Sequence, residues 1–314
     1  MYDIIINPAA GRGRAVQYQK ALTTHINDRG VFARIHVTGG AMDGYSFARE
    51  ICSGSSEGII GIGGDGTFQE IIAGMVDAFP HGEKIPIPLG IFPGGSGNDF
   101  IMTQLSNKKN ALKKYRVSIA EAIKSFWADV ENGHKKPTDV ITANGMAYLN
   151  IGNIGLDAKI VERAANLKQK YGGRAYLAAV YGSIVRHKNI PLTIEVNDTV
   201  IEGNFTLAAA CNGRYYGGGL HIAPMAEIND GLITLCLVDA MSRPKTMALF
   251  PSLMVERHTC LKEFSFINCK EFKMILPPGK HTLCLDGNLY PHDNEIIFKM
   301  LQSVIDIFGA VEKT

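Results

Sequence analysis

Apolar and polar residues follow two different patterns along this chain. In the first half, short apolar runs alternate with polar or glycine-rich loops and with segments of helical spacing. This alternation is typical of βαβ units and predicts a mostly parallel sheet. The expected strands are Asp3–Asn7, Phe32–Thr38, Gly58–Ile62 and Pro88–Phe92.

The second half favours antiparallel strands. Residues 139–149 form two apolar runs around Asn144-Gly145, and two further runs flank Asn197-Asp198. Pairs of this kind favour the tight turns of β-hairpins. Later runs continue the pattern, and together they predict an antiparallel β domain. These runs are Leu232–Val238, Phe264–Ile267, Phe272–Leu276 and Thr282–Leu285.

A polar stretch at residues 131–137 separates the two patterns. We predict an α/β domain at residues 1–135 and an antiparallel β-sandwich at residues 136–298, so that the fold class is α/β plus all-β. The last apolar segment, Ile296–Phe308, is expected to be a strand that runs into a helix. We expect the final residues, about 299–314, to return to the first domain.

Composition narrows the class of protein. A chain of 314 residues with 46% hydrophobic content can bury one large core or two ordinary ones. Its 32 basic and 30 acidic residues give no reason to expect nucleic acid as a partner. The six cysteines lack C-x-x-C spacing, which favours free thiols in a reducing cytosol. No apolar run approaches the roughly 18 residues of a membrane span, and the start lacks a signal-peptide pattern.

The sharpest local signal is the glycine-rich segment from Gly61 to Thr67, which follows a strand and opens a helix. Glycines let the backbone approach a ligand, and the helix start offers unpaired N–H groups that suit phosphate. Asp65 would repel phosphate unless a cation lies between them, so the segment predicts a Mg²⁺–nucleotide site. Thr67 and Glu70 predict a capping box with Thr67 as N-cap. An ordinary Asp-Gly turn is the alternative.

Two further loops have a similar character. Pro93–Phe100 contains three glycines, a hydroxyl and a carboxylate at the end of a strand, where ligands bind in open α/β sheets. Asn7–Arg14 follows the first strand, and its arginines either meet phosphate or are solvated. No lysine follows Gly61–Thr67 as in a P-loop, and the spacing is not that of a dinucleotide-binding G-x-G-x-x-G.

Five motifs occur in order along nearly the whole chain. They are Asn7-Pro8-x-x-Gly11, Gly63-Gly64-Asp65-Gly66-Thr67, Pro93–Phe100, the run Gly218-Gly219…Ala223-Pro224…Asp230-Gly231-Leu232, and Leu285-Asp286-Gly287. In this order they resemble the diacylglycerol-kinase catalytic-domain family, which includes bacterial lipid kinases and the sphingosine and ceramide kinases. Two positions depart from the family pattern: Ser96 stands where threonine is usual, and Asn288 stands where glutamate is usual.

The resemblance implies an activity and a division of labour between two domains. It implies a Rossmann-like nucleotide domain of the NAD-kinase and phosphofructokinase kind, a β-sandwich that holds a lipid, and ATP with Mg²⁺ in the cleft between them. The implied reaction transfers the γ-phosphate of ATP to a lipid hydroxyl, with diacylglycerol giving phosphatidic acid as the first candidate. Asp286 is implied as the general base and Asp65 as a second catalytic residue, which agrees with the chemistry of phosphoryl transfer.

The resemblance also implies the binding residues. The ATP contacts implied are Asn7, Thr38, Gly63, Gly64, Asp65, Gly66, Thr67, Gln69, Gly95, Ser96, Asn98 and Asp99. The catalytic Mg²⁺ would be held, through water, by Asp65, Asp99 and Asp139. A second, structural Mg²⁺ would bind Asp230 with main-chain oxygens near Glu227 and Leu232. Asn288 could lower metal affinity or rate.

Other interpretations stay open. A soluble-substrate kinase of the NAD-kinase type shares the G-G-D-G-T turn, and a non-catalytic lipid- or nucleotide-binding module would agree with Asn288. Residues 159–188 carry seven basic side chains and one acidic one, interleaved with apolar residues. This segment either docks on anionic lipid or forms a solvated helix with an apolar stripe in the core. We expect a cytoplasmic protein, peripheral to the membrane; a homodimer and the identity of the lipid are left open.

Overall fold

The first half of the protein is built on a parallel sheet. The computed structural model describes residues 1–95, 97–105, 118–155, 182, 184 and 188–308. The first four strands pair side by side in the order β2-β1-β3-β4, all parallel. These strands are β1 (Tyr2–Ile6), β2 (Ala33–Val37), β3 (Gly58–Gly63) and β4 (Leu89–Pro93).

Helices cover both faces of this sheet. They are α1 (Arg14–Asn27), α2 (Asp43–Cys52), α3 (Asp65–Ala78), α4 (Asp99–Leu105) and α5 (Ile119–Glu131). Apolar side chains of α2 and α3 pack with Ile5, whereas those of α1 and α5 pack with Ile4 and Ile6. Successive strand residues point to opposite faces, so one strand supplies both cores. A strand buried on both sides explains the unbroken apolar runs of the sequence.

The second half consists mainly of antiparallel strands. They are β5 (Lys135–Ala143), β6 (Met146–Tyr148), β7 (Ile151–Gly155), β8 (Ile190–Val196), β9 (Thr199–Cys211), β10 (Tyr215–Tyr216), β11 (Leu220–His221), β12 (Ile233–Asp239), β13 (Phe264–Cys269), β14 (Glu271–Ile275), β15 (His281–Leu285), β16 (Asn288–His292) and β17 (Glu295–Phe308). A short helix, α6 (Arg243–Leu249), lies between β12 and β13.

The pairing of these strands encloses a second core. Neighbouring strands are hydrogen-bonded in the order β16-β15-β7-β9-β8-β14-β17. In addition, β12 pairs with β9 and β13, and β5 pairs with β17 and β6. The predicted hairpins are present, since Ala143 pairs with Met146 and Val196 pairs with Thr199. Both the α/β first half and the β-sandwich second half agree with the predicted fold class, which is confirmed.

Strand β17 connects the two halves. It pairs with β14 and β5, and near its end Ile307 pairs with Leu89 of β4 in parallel. The expectation that this segment runs into a helix was wrong, because β5 supplies strand partners on both sides of a register shift between Leu301 and Ile305. Ser303, inside the shift, has a positive φ of 51°. None of the helices in the described part of the chain is long and apolar enough to span a bilayer.

Candidate active site

Three glycine-rich loops touch at the carboxyl ends of β1, β3 and β4. The Gly94 N–H donates to the carbonyl of Gly63 over 2.7 Å. A Cβ added to Gly11 would lie 1.8 Å from the Gly94 oxygen, and one added to Gly95 would lie 2.4 Å from the Gly64 Cα. No other residue type fits such contacts without moving the backbone. The loops therefore form one surface at the edge of the sheet where ligands bind in folds of this class.

Asn7 and Thr38 lie at this edge. The Asn7 side chain donates to Thr67 Oγ1 over 3.1 Å and accepts from the Ala9 N–H over 3.1 Å, so it orders the first loop against α3. The Thr38 N–H donates to the carbonyl of Ile6 over 2.9 Å, which places Thr38 just past the end of β2. Both residues lie at the edge of the sheet that carries the glycine-rich loops, and their contact with ATP stays a prediction.

The helix after the G-G-D-G-T turn starts earlier than the capping box predicts. Helix α3 begins at Asp65, so Thr67 lies inside its first turn. The Glu70 carboxylate accepts hydrogen bonds from the N–H groups of Met42 and Gly44, over 3.0 and 3.1 Å, and therefore caps α2. The prediction of Thr67 as N-cap was wrong: the N-cap is Gly64, and Glu70 bonds to the start of α2 instead of returning to Thr67.

Asp65 and Asp99 face the same small space. The Phe100 N–H donates to Asp65 Oδ1 over 3.2 Å, and the Gly218 N–H donates to the two oxygens of Asp99 over 3.0 and 2.9 Å. A Cβ on Gly97 would lie 3.0 Å from Asp65 Oδ2 and 3.3 Å from Asp99 Oδ2. Burial raises the pKa of Asp65, although backbone N–H donors oppose that effect. Two carboxylates thus converge beside the glycine-rich loops.

Asp286 reaches the same region from the second half. It lies in the tight turn between β15 and β16, with φ of 46°, and Gly287 follows with φ of 96°. Its carboxylate accepts hydrogen bonds from three successive N–H groups: Leu149 at 2.8 Å, Asn150 at 3.1 Å and Ile151 at 2.7 Å. The residue occupies an Asp-Gly turn and also directs its side chain inward, where it is only 8% exposed.

The electrostatics of Asp286 suit proton exchange near neutral pH. Burial raises its pKa to about 7, the three N–H donors oppose the rise, and the neighbouring charge of Asp65 adds to it. Asp65 is thus near enough for its charge to act on the Asp286 carboxylate from the other half of the protein. A carboxylate whose pKa lies near the working pH can accept a proton and release it again.

The Asp139 carboxylate has hydrogen-bond partners different from those of Asp65, Asp99 and Asp286. It is fully buried, and its oxygens accept hydrogen bonds from the N–H groups of Gly231 at 2.7 Å and Ser303 at 2.6 Å. None of its described hydrogen bonds reaches Asp65 or Asp99. The structure therefore places the Asp139 carboxylate beside the loop of the predicted second metal, and its part in holding the nucleotide's magnesium stays a prediction.

The residues of the predicted second metal site lie close to one another. Burial raises the pKa of Asp230, and the charges of Asp139 and Glu227 raise it further. Asp230 accepts from the Leu232 N–H over 2.9 Å, and Glu227 accepts from Arg214 over 3.3 Å. Within the described ranges, no three His, Cys, Asp or Glu side chains form a metal-binding group. A site built on main-chain oxygens stays a prediction.

Two side chains that were predicted to bind ATP form hydrogen bonds within the protein. Gln69 is fully buried and donates to the carbonyl of Ala147 over 2.9 Å, so its side-chain Nε2 is engaged within the protein. Asn98 bonds with Gly95 through both amide atoms, over 3.1 and 3.0 Å, and closes the third loop. Ser96 lies outside the described residues, as does nearly all of the basic segment 159–188.

Sequence reasoning missed several contributors to the site. The three N–H groups of Leu149, Asn150 and Ile151 carry no side-chain signal, because any residue supplies a backbone donor. Asn212 is also new: its side chain donates to the carbonyls of Asp139 at 2.9 Å and Leu149 at 2.7 Å, joining the two acidic regions. A polar residue directly after the long apolar run of β9 was its only signal.

Comparisons with known proteins agree with this arrangement. Residues 2–142 match the diacylglycerol kinase catalytic domain. Residues 151–291 match the YegS C-terminal NAD kinase beta sandwich-like domain. Residues 2–142 belong to the diacylglycerol kinase catalytic-domain family. The two matches divide the chain between the half that carries Asp65 and Asp99 and the half that carries Asp286.

Members of this family with similar sequences and folds extend over most of the chain. A diacylglycerol kinase of Mycobacterium tuberculosis is 27% identical over 87% of this chain and 84% of its own length. A diacylglycerol kinase of Bacillus subtilis is 26% identical over 96% of this chain and 98% of its own. A crystal structure of a diacylglycerol kinase from Bacillus anthracis has a TM-score of 0.67, with 22% identity, over 98% of this chain and 95% of that one.

Proposed function

We propose that this lipid kinase transfers the γ-phosphate of ATP, bound with Mg²⁺, to the hydroxyl of a lipid. The first candidate substrate is diacylglycerol, which would give phosphatidic acid. The observation that carries the proposal is the convergence of Asp65, Asp99 and Asp286 from both halves of the protein on the glycine-rich loops. Two relatives named diacylglycerol kinase support the choice of diacylglycerol, and other relatives are named probable lipid kinase YegS-like, which supports a lipid acceptor more generally.

The three loops fit a nucleotide phosphate group. Close packing of Gly11, Gly64 and Gly95 brings bare backbone to the surface at the start of α3, whose positive dipole end favours an anion. Asp65 and Asp99 would oppose a bare triphosphate at this place. Their oxygens border one point beside Gly97, an arrangement suited to Mg²⁺, which binds through one or two carboxylates together with phosphates. Mg²⁺ would neutralise phosphate charge during transfer.

Asp286 is proposed as the group that accepts the proton of the lipid hydroxyl. Three N–H donors, from Leu149 to Ile151, hold its carboxylate in one orientation. With a pKa of about 7, a large share of the protein has Asp286 ionised at neutral pH. A positioned carboxylate of this kind contributes about 10²- to 10⁴-fold to rate.

The lipid must come from a bilayer, so we propose transient contact with a membrane surface. The basic segment 159–188 stays a candidate for that contact by its sequence alone, since of its residues the structure describes only Gly182, Ile184 and Lys188. Cosedimentation with vesicles that contain anionic lipid, compared with neutral vesicles, tests this step separately from catalysis.

The decisive experiment offers the purified protein γ-labelled ATP and Mg²⁺ with different acceptors. Diacylglycerol, a sphingoid base and ceramide are supplied in mixed micelles, and NAD is supplied in a separate reaction. We expect label in the diacylglycerol fraction. Label in NAD alone would reject the lipid-kinase proposal, and label in no acceptor would favour a binding module without catalysis.

A further inference from the structure

Asn288 joins the hairpin of Asp286 to the phosphate loop. Its side-chain Nδ2 donates to the carbonyl of Gly66 over 2.9 Å and to Gln69 Oε1 over 2.7 Å. Gly66 follows Asp65 directly, and Asn288 stands two residues after Asp286. A Cβ on Gly66 would lie 2.7 Å from Asn288 Oδ1, so the two turns are in close contact. The link therefore spans the two halves where their carboxylates meet.

Backbone carbonyls fix the orientation of both amides. Gln69 Nε2 donates to the carbonyl of Ala147, so Oε1 must face Asn288 and Tyr290, whose hydroxyl donates to it over 2.8 Å. The Gly66 carbonyl likewise requires a donor from residue 288. Carbonyl oxygens only accept hydrogen bonds, which leaves no choice in the assignment of either amide.

A carboxylate at position 288 would not fit this network. It has no hydrogen to give to the Gly66 carbonyl or to Gln69 Oε1, and it would bring negative charge towards Asp65 and Asp286. Turning the Gln69 amide over would only move the conflict to Ala147, because two carbonyl oxygens would then face each other. The amide of Asn288 therefore matches its surroundings, although glutamate is usual in similar sequences.

We propose that Asn288 is a positioning residue that holds Asp286 at a fixed separation from Asp65. This inference rests on the proposed function. It explains the departure from the family pattern, asparagine at position 288 in place of glutamate, as a different way of supporting the site and not as a loss of activity. The hydrogen bonds from Asn288 to the first turn of α3 align the proposed base with the phosphate loop. Small displacements of reacting groups, of about 1 Å, can cost about 100-fold in rate.

Kinetics of two substitutions separate this role from that of a weakened metal ligand. Asn288→Ala and Asn288→Glu should each lower kcat by about 10- to 100-fold, with the KM for ATP changed by less than about threefold. Asn294→Ala is the matched control, since Asn294 is exposed in the turn after the same strand, and it should keep full activity. A rise in kcat, or tighter use of Mg²⁺, in Asn288→Glu would overturn the proposal.

Hydrogen–deuterium exchange tests the link without activity. In Asn288→Ala, amides of residues 66–70 and 286–292 should exchange faster than in the unsubstituted protein, whereas Asn294→Ala should leave them unchanged. Tyr290→Phe, which removes one donor to Gln69, should give a smaller change of the same kind. It provides a second test of the link in case Asn288→Ala does not fold. Unchanged exchange in folded Asn288→Ala would reject the link. If the unsubstituted protein phosphorylates no lipid, the exchange result still decides this inference on its own.

Discussion

Two acidic regions of this protein differ in the surroundings of their carboxylates. Around the glycine-rich loops, Asp65 and Asp286 are surrounded by backbone donors, and among the described residues no salt bridge reaches either carboxylate. Backbone N–H groups also bond to both oxygens of Asp139, but that carboxylate is fully buried, and nearby Glu227 forms an ion pair with Arg214. The comparison suggests that the first region is arranged to receive a cation and a proton, whereas the second holds chain segments together.

The largest effect is expected from Asp286→Asn. Transfer should fall by about 10²- to 10⁴-fold because the amide cannot accept the hydroxyl proton, while nucleotide binding stays nearly intact. Initial rates with labelled ATP and calorimetric titration with the nucleotide measure the two effects. Asp198→Asn is the control: Asp198 also has a positive φ in a hairpin turn, but it is exposed. Turnover within about threefold of the unsubstituted protein would reject the role of Asp286.

Asp65→Asn should lower the rate by about 100-fold without loss of stability. The raised pKa of Asp65 shows that burial opposes its charge, so removal of that charge relieves the folded state. Urea unfolding should give an unchanged or higher midpoint. A lower midpoint together with full activity would place Asp65 with the structural carboxylates.

Asp139→Asn should have the opposite effect: a loss of stability with little change in rate. The amide would turn an N–H towards Gly231 or Ser303, and one buried donor would lose its acceptor at a cost of about 1–3 kcal/mol. We expect a lower unfolding midpoint in urea, while any loss of kcat measured well below that midpoint stays small. An undiminished midpoint combined with a loss of more than about 100-fold in rate would assign Asp139 to the catalytic metal instead.

The smallest effect concerns the pH profile. A base must be ionised, so kcat should rise with pH through about 7 and level off above that value, following the raised pKa of Asp286. The Asp65 charge contributes to that raised pKa, so residual activity of Asp65→Asn should show a midpoint at lower pH. Equal midpoints in the two proteins would mean that the carboxylates do not interact.

Much of the fold followed from local patterns. The four parallel strands and the Asn144-Gly145 hairpin were predicted because apolar spacing and turn residues act over a few positions. The meeting of the glycine-rich loops was predictable too, since parallel strands place their carboxyl ends at one edge. Asp286 was placed at the end of a strand on the same grounds, although its role came only from family resemblance.

The contacts that sequence reasoning missed depend on distant partners. Glu70 caps α2 rather than its own helix, and Gln69 is held by residues more than seventy positions away. The end of β17 is a strand because β5 offers it hydrogen bonds, which no local pattern reveals. Asp139 likewise needed the positions of Gly231 and Ser303. Single-sequence patterns carry little information about contacts of this range.

The course of β17 has a consequence for biosynthesis. In the sheet that bears the glycine-rich loops, β4 pairs with β17 at Ile307, so this partner of β4 is not available until residues 295–308 have been translated. Before that moment, β4 presents an open edge that could pair with other chains. Completion of the α/β sheet must therefore wait for β17 to leave the ribosome, and fragments truncated before residue 295 should aggregate.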